Sequence, residues 1–232
     1  MFEAKYSKFL TVLLIVIIVA VIGLGSILGY NYFKKYSTIS DSEKFVSTFV
    51  EDIGETDSNS NPNQNSNQIG EMPNEGGSIA ENITQAEVSS STGKVKQYKG
   101  FNAIGTIEIP KTGVSYPILE DPPTPKKLET AIVALYPQDA VMNSIGNVVL
   151  VGHNYRNGQF FSNNKKLVNG DKIYITDLNR NKITYIVYNV YQTSVNDTES
   201  YNRDTNGKRE ITLSTCTDAS NDQRIIVLAA EQ

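Results

Sequence analysis

Residues Phe9 to Leu28 form an unbroken apolar run with no charged side chain, and no other stretch limits the possible architectures as much. At about 1.5 Å per residue, a helix of about 20 apolar residues spans the roughly 30 Å hydrocarbon core of a bilayer. Inside lipid the backbone must satisfy its own hydrogen bonds, so a run of this kind must be helical. The small residues Gly23, Gly25 and Ser26 near its far end would also suit a cleavable secretion signal. The apolar part of such a signal is usually only about 7–15 residues long, so an uncleaved, single-pass anchor is expected over residues 9–28. Lysines flank the run on both sides, Lys5 and Lys8 before it and Lys34 and Lys35 after it, so positive charge alone barely orients it. The short flank of residues 1–8 and the long polar remainder favour a cytoplasmic N-terminus and an extracellular body.

Residues 29–97 read as a stalk. Ser40 to Val50 can hold a short helix with Phe45, Phe49 and Val50 on a weak apolar face. From Glu51 to Ser91, Asn, Ser, Glu, Gly, Gln and Pro dominate and no aromatic residue occurs. Such a composition cannot bury enough apolar surface to offset its ordering entropy, so a largely disordered tether is expected. For about 60 flexible residues the coil estimate is roughly 40 Å from end to end. A tether of that length would let a domain work some way from the bilayer.

The folded domain is expected over residues 98–232. Its apolar runs are short, rich in β-branched residues and separated by turn signals, the pattern of an all-β barrel or sandwich. Strands are expected at Ala103 to Ile109, Val114 to Leu119, Asn147 to Val151, Lys172 to Thr176, Lys182 to Thr193, Arg209 to Cys216 and Arg224 to Ala230. Asn179-Arg180-Asn181 should turn one strand into the next as a hairpin. Leu128 to Leu135 fits helix or strand equally, and Gly158 to Leu167 reads as a helical turn carrying Phe160, Phe161 and Leu167 inward.

The chain has one cysteine and one histidine. That excludes an intramolecular disulfide framework and a zinc site built from several thiolates. The net charge of −4 leaves no basic footprint for nucleic acid. Cys216 ends the run Ile211-Thr212-Leu213-Ser214-Thr215-Cys216, where a strand gives way to a polar loop. A free cysteine is more often a small buried hydrophobe than a nucleophile, and a lone loop histidine usually only bonds its neighbours. Here both stand at strand exits, with His153 following the apolar run in Val151-Gly152-His153-Asn154. A thiolate is the attacking species and needs a base or a cationic partner, and the tetrahedral intermediate of acyl transfer needs an oxyanion donor. Arg224 opens the strand after the cysteine loop and would face the end of the cysteine strand in an antiparallel pair.

At these residues the sequence resembles the sortases, cell-surface cysteine transpeptidases of Gram-positive bacteria. Their T-L-x-T-C signature is matched by Thr212, Leu213, Ser214, Thr215 and Cys216, their Gly-His pair by Gly152-His153, and their arginine by Arg224. Phe160, Phe161, Leu167, Gly170 and Asp171 fit the segment that follows the histidine in that family. The resemblance covers residues 98–232 and implies a closed eight-stranded β-barrel with short helices, preceded by the anchor and tether. It implies that Cys216 cleaves an LPXTG-like sorting signal after its threonine and holds the product as a thioester, with no metal or cofactor expected. His153 would move protons, and Arg224 would hold substrate and oxyanion. Thr215, Leu213 and Asn154 are expected to contact substrate. The acceptor would be an amine of a peptidoglycan precursor or of a pilin. Features of classes A and D and of class B both occur, so the resemblance does not choose a subclass. A tethered cysteine protease that hydrolyses its acyl-enzyme, and a non-enzymatic β-barrel binding module on a stalk, remain as alternatives.

Overall fold

In the computed structural model, residues 3–51, 95–135 and 141–232 are described. Nine strands follow one long helix: α1 (Glu3–Glu51), β1 (Lys96–Tyr98), β2 (Phe101–Ile109), β3 (Val114–Leu119), α2 (Pro125–Leu128), β4 (Ile132–Leu135), β5 (Gly146–Val151), β6 (Lys172–Asp177), β7 (Lys182–Ser194), β8 (Arg209–Cys216) and β9 (Gln223–Glu231). Neighbouring strands run β2-β3-β4-β5-β8-β9-β7-β6, and β6 pairs back onto β2. The sheet is therefore a closed eight-stranded barrel, as the resemblance implies, and β1 adds a short ribbon beside the start of β2. Closure leaves none of the eight with a long unpaired edge.

Local sequence explains most of these elements. Pro125 sits in the first turn of α2, and Thr124 caps it by accepting from the Lys127 amide. The helix turn ends at Leu128 and β4 starts at Ile132, so the ambiguous segment 128–135 divides between the two. The turn at 179–181 joins β6 to β7 as a hairpin. Apolar side chains that alternate along the strands fill the barrel, among them Ile107, Ile118, Leu150, Leu213 and Val227. Phe160, Phe161 and Leu167 point inward from the turn after β5, as expected.

Two strand pairs, β3–β4 and β5–β8, are parallel, and the remainder are antiparallel. The β5–β8 pair matters for the site. Parallel neighbours leave the sheet at the same end, so the segments after Val151 and after Cys216 emerge together.

The N-terminal helix is longer than the apolar run. α1 continues past Leu28 to Glu51 without a break, and its apolar part is exposed throughout, long enough to cross a membrane. Residues 29–51 of the expected stalk are thus helical, so the short helix expected at 40–50 is the end of a longer one that begins in the apolar run. The cause is the apolar face at Phe45, Val46 and Phe49, which finds a partner on the barrel. Phe45 meets the Tyr98 ring edge-on at 5.1 Å, and the Arg180 guanidinium lies 4.0 Å from the centre of the buried Phe49 ring. Asp41 pairs with Lys99 at 3.0 Å beside them. Residues 52–94 of the expected tether lie outside the described residues, and its last residues, from Lys96, are already in β1.

Candidate active site

β8 is buried on both faces for two different reasons. Ile211 and Leu213 point into the barrel core. Thr212 and Ser214, on the other face, lie under the loop between β7 and β8. Thr212 donates to Asn147 at 2.9 Å, and the hydroxyls of Tyr201 and Ser214 are 2.7 Å apart. Arg203 donates to Thr212 and pairs with Glu210 at 2.7 Å. A buried polar group costs stability unless it is bonded, and this network satisfies the polar side of the strand. It holds the β7–β8 loop against the strand that carries Cys216.

Cys216 is the last residue of β8, partly exposed, and a free thiol. Cys216 and Arg224 are register partners across β8 and β9, so their side chains share a face. The Arg224 Nη1 lies 3.3 Å from the Cys216 Sγ and is held by the Asn221 carbonyl at 2.6 Å. The guanidinium thus points an N–H at the sulfur from across the β8–β9 pair.

His153 arrives from the other side. Val149 pairs with Thr212 and Val151 with Ser214, and two further residues of that register bring position 153 level with Cys216. Three bonds extend the pairing past the strand. The Gly152 backbone amide donates to the Ser214 carbonyl at 3.2 Å, the Thr215 hydroxyl to the Gly152 carbonyl at 2.7 Å, and the Asn154 side-chain Nδ2 to the Cys216 carbonyl at 2.9 Å. Gly152 is required for close approach. A Cβ there would sit 2.6 Å from Ile132 Cδ1 and 2.8 Å from Phe161 Cδ2, inside any real contact distance. The His153 ring packs on Tyr155 at 4.8 Å, Tyr155 meets Phe160 at 5.5 Å, and Phe160 stacks on Tyr116 at 4.9 Å. This line of rings backs the imidazole into the core. Burial pushes the His153 pKa below its ordinary value, and the nearby Glu129 carboxylate opposes the shift.

The three residues singled out from sequence therefore meet at one rim of the barrel. The flanking residues do not all behave as expected. Leu213, expected at the substrate, is fully buried in the barrel interior, because alternation along β8 turns it inward. Thr215 is buried too, and its hydroxyl is used on Gly152. Asn154 uses its amide group on the Cys216 carbonyl and on Asp218 at 2.8 Å, and its oxygen accepts from the Arg156 amide. Asp218 is also paired with Lys165, so the loop after the histidine and the loop after the cysteine are tied together. Asn147, Tyr201, Arg203, Asp218 and Lys165 carried no signal in the sequence, because each acts through partners distant along the chain. Among the described residues, no group of three or more His, Cys, Asp or Glu side chains is placed to hold a metal ion.

A closed barrel with a thiol set against a guanidinium at one rim, and a histidine emerging beside it, defines a class of thiol-bearing barrel domains. The chain belongs to the sortase family: residues 107–232 match the family model described as a sortase domain. It is 33% identical over 147 residues to sortase A of Bacillus anthracis, an alignment covering 63% of this chain and 65% of that protein. Among solved structures, the sortase D5 transpeptidase of Clostridium perfringens is 33% identical with a TM-score of 0.50, over 56% of this chain and 79% of the other. Sortase A of Corynebacterium diphtheriae is 29% identical with a TM-score of 0.51, over 57% and 61%.

Proposed function

We propose that this chain is a membrane-anchored cysteine transpeptidase acting outside the cell on LPXTG-like sorting signals. The observation that carries the reading is the Arg224 guanidinium at 3.3 Å from the Cys216 sulfur, with the histidine strand in register beside it. The Cys216 thiolate adds to the carbonyl carbon after the signal's threonine, and the oxyanion forms within reach of Arg224. As the C–N bond breaks, His153 gives a proton to the leaving amine, and a thioester remains on Cys216. An acceptor amine, on a peptidoglycan precursor or a pilin, then attacks the thioester carbonyl. It loses a proton to His153, the C–S bond breaks, and the sulfur leaves as a thiolate. No cofactor enters either half-reaction. Thr215 and Asn154 support the reaction by fixing the two loops rather than by touching substrate. The stretch 98–232 is the catalytic domain in this reading, and residues 9–28 the span.

The test is to incubate the protein with sorting-signal peptides and look for a thioester adduct on Cys216 by mass spectrometry, with and without an added amine. An adduct that becomes an amide only when amine is present supports a transpeptidase. Equal hydrolysis in both conditions favours a protease, and no adduct with any peptide favours a binding module.

A further inference from the structure

Between α1 and the barrel lies a cleft of about 840 Å³, within the roughly 300–1,000 Å³ range of small-molecule sites. Lys34 and Lys35 of α1 face Lys126, Tyr155 and Glu129 of the barrel across it. Three ammonium groups thus stand against the single carboxylate of Glu129. Among the described residues, none of the three lysines ends on a carboxylate partner. The gap is narrow at one point, because the Lys35 Nζ is 3.8 Å from where a Cβ on Gly158 would be.

The height of the cleft above the bilayer identifies its ligand. Lys34 and Lys35 lie roughly 9–10 Å along the helix beyond Leu28 at about 1.5 Å per residue. Tyr30, Tyr32, Phe33 and Tyr36 surround them and are all exposed. Aromatic residues in that position mark the headgroup layer, so the lysines and the cleft are level with lipid phosphates. A lipid can place its phosphate among the three lysines without leaving the membrane.

We infer that this cleft binds the phosphate of an anionic phospholipid headgroup. The bound headgroup bridges the anchor helix and the barrel and keeps the Tyr155 side of the barrel, next to His153, turned toward the membrane. The inference rests on the membrane span and the cleft, not on the chemistry at Cys216.

The full-length chain in a maltoside detergent, titrated with dihexanoylphosphatidylglycerol and followed by native mass spectrometry, tests it. Wild type should retain one lipid saturably, and dihexanoylphosphatidylcholine should bind at least about ten-fold more weakly. The Lys34→Gln/Lys35→Gln/Lys126→Gln variant should lose on the order of 10²-fold in affinity, from the usual contribution of each interfacial lysine. Its melting temperature should stay close to wild type, showing that the barrel is intact. Lys44→Gln and Lys208→Gln, which lie outside the cleft, should change nothing. Equal lipid retention by the triple variant would overturn the proposal. So would displacement of the lipid by an equal concentration of inorganic phosphate, which would mark a site for a soluble anion. Neither result depends on turnover, so failure here leaves the transpeptidase reading where it stands.

Discussion

At the scale of residues, the proposed mechanism divides its chemistry among the three side chains at the rim. Cys216→Ala should abolish thioester formation, and Cys216→Ser should be nearly as inactive, because a hydroxyl does not supply a ready anion. His153→Ala should lose about 10²–10⁴-fold, the usual worth of general acid–base help. Arg224→Lys tests geometry, since lysine keeps the charge but not the planar fork. A loss of about 10²-fold in kcat is expected, the scale for removing an oxyanion donor; wild-type turnover in Arg224→Ala would move that role to the backbone near Thr217. His153 also predicts a pH dependence of stability. Burial lowers its folded pKa, so below the ordinary value of about 6.5 the unfolded chain binds the proton more tightly than the folded one. Stability then rises with pH through this window and falls as pH drops below about 6.5. Denaturant melts between pH 5 and 8 should show this slope, and His153→Gln should flatten it.

At the scale of elements, the strands were readable because each is short, β-branched and ended by a turn residue. The hairpin at 179–181 and the run at 147–151 needed no tertiary information. The placing of Cys216, His153 and Arg224 at one rim was legible because each lies within two residues of a strand end in a recognisable pattern. The inward turn of Leu213 was missed because one residue of alternation separates a core position from a surface one, and β8 is apolar or small on both sides. The parallel β5–β8 pairing, which brings histidine and cysteine together, depends on a crossover through β6 and β7 that no local pattern encodes. The docked end of α1 was missed for a related reason: its weak apolar face becomes meaningful only when Tyr98 and Arg180 stand opposite. Phe49→Ala should release that end. Its ring is fully buried, and truncating such a residue costs about 3–5 kcal/mol where the site cannot collapse. Hydrogen exchange should show amides near residues 42–49 losing protection while β8 and β9 keep theirs. Unchanged protection in the variant would mean that Phe49 does not hold the helix.

At the scale of the whole molecule, the docked helix fixes how the barrel stands to the apolar N-terminal run. A tether alone would let the rim wander over roughly 40 Å, whereas α1 joins the barrel directly to a helix long and apolar enough to cross a membrane. Residues on either side of the stretch 52–94 are in contact, since Lys96 Nζ donates to the Thr48 carbonyl at 3.0 Å and Tyr98 packs on Phe45. Joining such neighbouring points needs no particular length of chain. Its polar composition gives it little to bury. Replacing residues 54–92 by a short Gly/Ser linker should therefore leave the melting temperature of the barrel nearly unchanged. It should also make docking easier, because shortening a closing loop about five-fold lowers its entropy cost by roughly 1.4 kcal/mol. The checks are a calorimetric melt of the full chain in detergent and energy transfer between dyes on α1 and on β9. Transfer should rise or stay the same in the shortened chain. A drop in both melting temperature and transfer would show that residues 52–94 hold the helix against the barrel, and that the folded domain begins well before residue 98.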